Sequence, residues 1–570
     1  MSEHSLKIKQ LTFLSLTSIL IAACQPATDS KQNESAQETR FVSTERSYYG
    51  TLEPFASEAI YFAMTDRFVD GDPSNNYPEQ GGEHNTFQNP LKGPGNQMAY
   101  VGYMGGDFRG ILNNAQYIKD MGFTSVWLTP IVDNPDHAFS GGEPIEFGGA
   151  FKDGGKTGYH GYWGTNFFIE DEHWVSEDLR YQDLATQLKA DYGIKLVLDV
   201  VANHGSPAFS MPSQLGDFGK LYDKSGQLVA DHQNLEPEQL DHDNPLHQFY
   251  NRKKDLMQLS DINESNPAVL DYFVEAHSQW IQQGAAAIRI DTIKHMPNSF
   301  WKKWADEMRE RHPGLYMFAE SYSFDAEFIG KHTQPENGSI SVLDFPGREA
   351  MLKVFENPSS DYSELLSYLY LEEGPYANPY DLATFYDNHD MSRINTDENG
   401  FINVHNWLFT SRGIPVVYYG SEIGFMAGTS EHQGNRNYFG QERIEIAKSH
   451  PIHNALKRIA NVRKNSIALQ RGLQVNLDFV GHTAAFYRVY EHQGEYQTAL
   501  VLLNKGDVSH DFVVEKYLSS GDWVEAFTGE IITVKDQLVR KVPPHGVAVY
   551  WLNQKNTNSD MVTVLDKLMQ

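Results

Sequence analysis

Residues 268–291 read AVLDYFVEAHSQWIQQGAAAIRID. The first part, Ala268–Gln283, carries apolar side chains at helical spacing, and the run Ala286–Ile290 reads as a short strand that stops on a carboxylate, Asp291. A helix feeding an apolar strand is the repeating unit of an α/β fold. The pattern recurs at Ala59–Met64, Ser125–Leu128, Lys195–Val201, Leu315–Phe318, Ser339–Leu343, Ala383–Tyr386 and Pro415–Tyr418, alternating with amphipathic segments such as Phe300–Glu310. Eight strands separated by helices predict a (β/α)8 TIM barrel. Periodicity alone leaves a doubly wound open sheet as the alternative.

Outward from this repeat the pattern changes twice. The stretch from Gly205 to Leu259 is long, polar and weakly periodic, and reads as a small domain inserted after the third strand. After about Arg463 alternating segments such as Thr483–Tyr490 and Gln497–Leu503 predict a C-terminal antiparallel β-sandwich. The expected division is barrel over 51–204 and 266–463, insert over 205–265, β-domain over 464–553, and a mobile tail over 554–570.

The N-terminus predicts export. Lys7 and Lys9 precede an apolar run, Leu11 to Ala23, that is too short to span a bilayer and reads as a signal peptide over 1–23. It ends in Ile21-Ala22-Ala23-Cys24, similar to a bacterial lipobox, so a lipid on Cys24 is the expected membrane attachment, with residues 24–50 as a polar tether. Gln25 after the cysteine favours the outer membrane if the host is Gram-negative; otherwise a periplasmic or extracellular location is expected. Cys24 is the single cysteine, so no intrachain disulfide can form. A net charge of −29 excludes nucleic acid as a partner, because a phosphate backbone demands a basic surface. The oligomeric state is left open.

Four acidic residues stand at strand ends. They are Asp199 in Leu198-Asp199-Val200-Val201-Ala202-Asn203-His204, Asp291 in Ile288-Arg289-Ile290-Asp291-Thr292-Ile293-Lys294-His295, Glu320 after Tyr316–Ala319, and Asp390 in Phe385–Asp390. One such residue is commonly a helix cap. Four in order, each behind an apolar strand, read as the catalytic face of a barrel. Paired carboxyl groups there suit retaining glycoside hydrolysis, in which one attacks the anomeric carbon and the other donates a proton to the leaving oxygen.

Together these motifs resemble the α-amylase family, glycoside hydrolase family 13, over roughly residues 57–550. Tyr159-His160-Gly161-Tyr162-Trp163, Leu259–Asn263 and Gly413-Ile414-Pro415 followed by Tyr419–Glu422 match further family landmarks in order. The resemblance implies Asp291 as nucleophile, Glu320 as general acid/base, and Asp390 as a carboxylate that binds and distorts the sugar. Arg289 would keep Asp291 ionised and aimed, since alternate strand residues share a face. His160 and His389 would bond the same sugar, and Tyr162, beside Trp163, would stack on it. Lys294 and His295 resemble the pair lining the leaving-group side in α-1,4-acting members. Thr292 stands where members that cut α-1,6 bonds in small oligosaccharides usually carry Val. Both point to α-1,4 linkages.

The resemblance also implies one or two Ca2+ sites, which take hard oxygen ligands. Asn203, Asp261 and the His295 carbonyl match one. Asp70, Asp72, Asn75 and Asn76, with Gly105 and Asp107, resemble the N-terminal calcium loop of cyclodextrin glycosyltransferases. The leading expectation is therefore hydrolysis of starch, maltodextrins or cyclodextrins. The alternative is a 4-α-glucanotransferase or cyclodextrin glycosyltransferase. Ile60-Tyr61-Phe62 with Thr65-Asp66-Arg67-Phe68, and Asp387-Asn388-His389-Asp390-Met391, resemble that subgroup, and Tyr322, two residues past Glu320, stands where its members carry an aromatic that could stack on an acceptor sugar. Against it stands the apparent lack of further starch-binding domains after the third. A non-catalytic glycan-binding lipoprotein would be expected to have lost Asp291 or Glu320, and both are present.

Overall fold

The computed structural model describes residues 46–81, 85–150, 152–214 and 216–569. Lys7, Lys9 and Cys24 lie outside the described residues. Among the described residues no helix is long and apolar enough to cross a membrane.

Eight parallel strands form the central sheet: β1 Ile60–Ala63, β2 Ser125–Leu128, β3 Lys195–Val200, β4 Ala285–Ile290, β5 Tyr316–Ala319, β6 Ser341–Val342, β7 Ala383–Thr384 and β8 Ile414–Tyr418. Their order is β6-β5-β4-β3-β2-β1-β8-β7. The edges β6 and β7 meet through a parallel bridge between Leu343 and Ala383, where Asp344 N–H donates to the Ala383 carbonyl at 2.9 Å. The sheet is thereby a barrel, and the open-sheet alternative falls. A buried ion pair, Arg412–Asp344 at 2.9 Å, lies beside the seam. β6 and β7 are shorter than their apolar runs; after β6 the chain leaves the sheet at Asp344, whose side chain caps the helix Phe345–Phe355 through Gly347 N–H. β1 and β2 are buried on both faces, which is why they read as unbroken apolar runs instead of alternating ones.

The helix before β4, α1 (Pro267–Gln282), shows why the alternation is built locally. Asn266 caps it by accepting Ala268 N–H at 3.0 Å, and Pro267 fits the first turn. Val269, Phe273, Ala276 and Trp280 form its buried stripe. The exit into β4 runs through Gly284 at φ +121°, a conformation that side chains strain against.

The insert after β3 is tied at its neck, where His204–Pro207 pairs antiparallel with Leu259–Asp261. The C-terminal region holds a six-stranded antiparallel sheet and a separate two-stranded antiparallel sheet, His510–Val514 with Leu538–Val542. Tyr487, Leu502, Phe512, Trp523 and Leu538 share one core between them. The expectation of a mobile tail over 554–570 is corrected here. Residues Ser559–Leu565 form a helix, α2, capped by Asn558, and Met561, Leu565 and Leu568 are buried in the same core. Asp566 at its end accepts from Arg46 at 2.7 Å and from the Tyr48 hydroxyl at 2.9 Å. Tyr48 also exchanges two backbone hydrogen bonds with Glu491.

Candidate active site

The strand-end carboxylates converge on one guanidinium. Arg289 on β4 lies level with Asp199 on β3. Its side chain is 1% exposed and stands 2.8 Å from Asp199 Oδ1, 2.7 Å from Asp291 Oδ1 and 2.9 Å from Glu320 Oε2. One cation cannot neutralise three carboxylates, and burial removes water as an alternative. Burial pushes the Glu320 carboxyl well above the usual range; Arg289 opposes this, while Asp390, Asp291 and Asp199 reinforce it. The shift favours a proton on Glu320; burial likewise raises Asp199, to about 7, and Asp390, and of these three Glu320 and Asp390 face the cleft. Asp199 is oriented from its other oxygen, which accepts from Trp127 Nε1 and the Tyr162 hydroxyl, each at 2.9 Å.

Tyr162 and His160 reach this floor from the loop after β2. The turn between them needs Gly161, at φ +83°, since a Cβ there would lie 2.1 Å from the Pro130 carbonyl. His160 Nδ1 accepts Tyr162 N–H at 3.1 Å, so Nε2 carries the hydrogen; that buried atom has no partner among the described residues. Burial, then the nearby cations, lowers His160 and His389 well below the usual range, which leaves both imidazoles neutral. The Tyr162 ring lies parallel to His389, centroids 5.3 Å apart, so part of its stacking surface is used within the protein. Trp163 packs with Phe139, Met211 and Phe218 beneath the loop. Asp390 is held by Arg436 at 2.7 Å and lies 3.3 Å from His389 Nε2.

These groups line a cleft of about 500 Å3. It takes in Asp291, Glu320, Asp390, Lys294, His295 and Tyr322, and of the expected sugar contacts only Arg289 lies behind its wall. Lys294 Nζ donates to the Tyr322 carbonyl at 2.7 Å. Tyr322 is 42% exposed and leans on Phe324 and Phe345. Thr292, directly after Asp291, adopts a left-handed conformation, φ +48°. That strain costs about 1–2 kcal/mol, and it turns the chain off the strand so that Asp291 stands at the cleft.

The alpha amylase catalytic-domain model matches residues 62–451. The chain belongs to the α-amylase family. A cyclomaltodextrin glucanotransferase of Klebsiella oxytoca is 30% identical over 80% of this chain and 72% of its own. An alpha-amylase of Niallia circulans is also 30% identical, over 84% of this chain and 87% of its own. This chain spans about half the length of several other relatives, such as the glucanotransferase of Bacillus licheniformis, where it covers 55%. A solved cyclomaltodextrin glucanotransferase with a three-domain ABC distribution superposes with TM-score 0.69 at 26% identity, over 87% of this chain and 99% of that one. Three domains therefore do not speak against a glucanotransferase, contrary to the sequence expectation. This member of the α-amylase family is a glycoside hydrolase or transglycosylase acting on glucans.

Both loops proposed for cations are rich in unpaired oxygen. Beside the insert, Asn203 Oδ1 is buried without a partner, and burial together with Asp255 raises the Asp261 carboxyl to about 7. His295 meets this group through its ring, 3.0 Å from Asp255; Asp255 is a carboxylate the sequence reading does not include. In the N-terminal loop Asp70 Oδ1, Asn75 Oδ1 and Asn76 Oδ1 are all buried and unpartnered, and Gly105 packs directly against Asn76 and Asp70. Both groups fit a hard cation. Two members are otherwise occupied. Asp107 accepts from Gly110, Asp72 and Gly71 N–H, and Asp72 caps the turn at Ser74.

The α-amylase motifs do not flag a second charged layer. Glu431 Oε1 stands 3.2 Å from Lys156 Nζ and 2.7 Å from Arg436. Lys156 also pairs with Asp153 at 3.2 Å. All four line the cleft, yet they sit in loops, where strand-end reasoning has no purchase.

Proposed function

We propose that the protein is a retaining glycosidase that cleaves α-1,4 bonds of starch-type glucans through a covalent glucosyl-enzyme. The observation that carries this is the single buried guanidinium bonded to both Asp291 and Glu320 at the cleft floor. Arg289 holds the Asp291 carboxylate ready to attack the anomeric carbon, and Glu320, protonated, donates to the departing glycosidic oxygen. Glu320 then accepts a proton from the water that releases the sugar. Asp390 with the neutral His160 and His389 can bond hydroxyls of the sugar at the bond being cut. An NMR time course on maltoheptaose should show the α-anomer released first. If the β-anomer appears first, the reaction inverts and the reading is lost.

Transfer to sugar is the second reading, favoured by the exposed ring of Tyr322 at the cleft. Stacking on an acceptor contributes about 0.5–1.5 kcal/mol beyond burial, a shift in partitioning of roughly threefold to tenfold. Tyr322→Leu should lower the ratio of transfer to hydrolysis by that factor at high maltooligosaccharide concentration. An unchanged ratio removes Tyr322 from acceptor binding.

Calcium is the cofactor we assign to both oxygen clusters, Asn203 with Asp261 and Asp255, and Asp70 with Asn75 and Asn76. There it would neutralise carboxylates and pin loops. EDTA should lower the melting temperature, since a ligand held only by the folded state stabilises it. An unchanged melting temperature, with no metal found by elemental analysis, refutes both. Anchoring through a lipid on Cys24 remains our reading of the N-terminus.

A further inference from the structure

Two loops meet beside the cleft, which their inner residues Asp153, Lys156, Glu431 and Arg436 line. Residues 139–150 and 152–156, after β2, run out and back: Phe139 N–H donates to the Lys156 carbonyl at 2.8 Å, and Ile145 N–H to the Gly154 carbonyl at 3.0 Å. The tip reaches the segment after β8. Gly148 N–H donates to the His432 carbonyl at 2.9 Å, and His432 Nδ1 bonds the Gly149 carbonyl at 2.7 Å. Beneath this strap runs the charged chain Lys156–Glu431–Arg436–Asp390. The Lys156 and Arg436 side chains are only 9% and 6% exposed.

The barrel order fixes where this strap lies. β1 sits between β2 and β8, so loops joining their ends cross above β1. In a closed ring of eight, β1 faces β5, and Glu320 follows β5. The acid that protonates the departing oxygen marks the leaving-group side, where Tyr322 and Lys294 also lie. The strap therefore closes the opposite side, which holds the sugar being transferred to Asp291.

We propose that the strap makes this end of the cleft blind, so that the enzyme works inward from the non-reducing ends of α-glucans and removes short pieces of one length. The inference rests on the retaining-glycosidase reading above. Only a terminal glucose has a free 4-hydroxyl, and an internal one would have to continue through the strap. Lys156 uses two of its three N–H donors on Asp153 and Glu431, and with Glu431 it offers charged partners to terminal hydroxyls. Such groups discriminate, because an analogue that cannot bond them leaves the third Lys156 donor buried without a partner.

The test compares two 4-nitrophenyl maltoheptaosides, one free and one with its terminal 4- and 6-hydroxyls closed as an ethylidene acetal, with products resolved by chromatography at early times. The free substrate should yield one short product size from the start, and the blocked one should be cut about a hundredfold more slowly. Lys156→Met, which opens the strap's inner layer without touching Arg436, should narrow that gap at least tenfold. Comparable initial rates on both substrates in the wild type, with mixed product lengths, would overturn the blind end while leaving the glycosidase reading intact. Turnover of neither substrate would overturn the glycosidase reading and this inference with it.

Discussion

Asp291→Asn and Glu320→Gln should each lower turnover on maltodextrin by at least about a thousandfold, or about 4 kcal/mol of barrier, with the fold intact. Both substitutions keep size and shape, and both sites are nearly closed to solvent. The asparagine cannot form the covalent intermediate, and the glutamine cannot donate a proton. Steady-state kinetics, with circular dichroism to confirm folding, measure this. Either variant retaining more than about a tenth of wild-type turnover removes the assignment. The two differ in pH behaviour. Burial raises the Glu320 carboxyl, so as pH climbs through its titration the proton is lost and activity falls. Glu320→Gln, assayed on a substrate with an activated leaving group that needs no acid, should lack that alkaline limb.

Removing Arg289 should be costlier still to the molecule as a whole. Arg289→Met leaves Asp199, Asp291 and Glu320 buried without their shared cation. Breaking one buried pair typically costs about 3–5 kcal/mol, so unfolding in urea should move to markedly lower denaturant. Arg289→Lys restores the charge but not the fork that reaches three carboxylates at once. It should therefore recover most of the stability while turnover stays at least about a hundredfold below wild type. A lysine variant with full turnover would show that charge alone suffices.

The barrel was legible because its evidence is local. Each strand is a short apolar run, and Arg289, Asp291, Glu320 and Asp390 announce themselves by standing on or just past such runs. What escaped are contacts that no window of sequence contains. Lys156 and Glu431 are 275 positions apart, and neither sits in a periodic segment. Asp255 lies in the polar insert, where one carboxylate looks like another. The misread tail is different, because its signal was present. Met561, Leu565 and Leu568 recur at four and three residues, the stripe of a buried helix face, behind a capping Asn558. The polar stretch before it, Asn553–Asp560, masked that pattern.

The clamp that fastens Arg46 and Tyr48 to Asp566 has a mechanical meaning. Tension entering the fold at Arg46 is borne first by that clamp and by the two bonds between Tyr48 and Glu491, all within the C-terminal β-domain. The load then passes to Gly50, held by Arg471 N-terminal to the first strand of that domain and by Asn378, which lies just ahead of β7 at the end of the barrel remote from the catalytic carboxylates. A pull at this end meets first the hydrogen bonds of Arg46, Tyr48 and Gly50, on the side of the barrel away from the catalytic carboxylates. None of these bonds involves Arg289, Asp291 or Glu320.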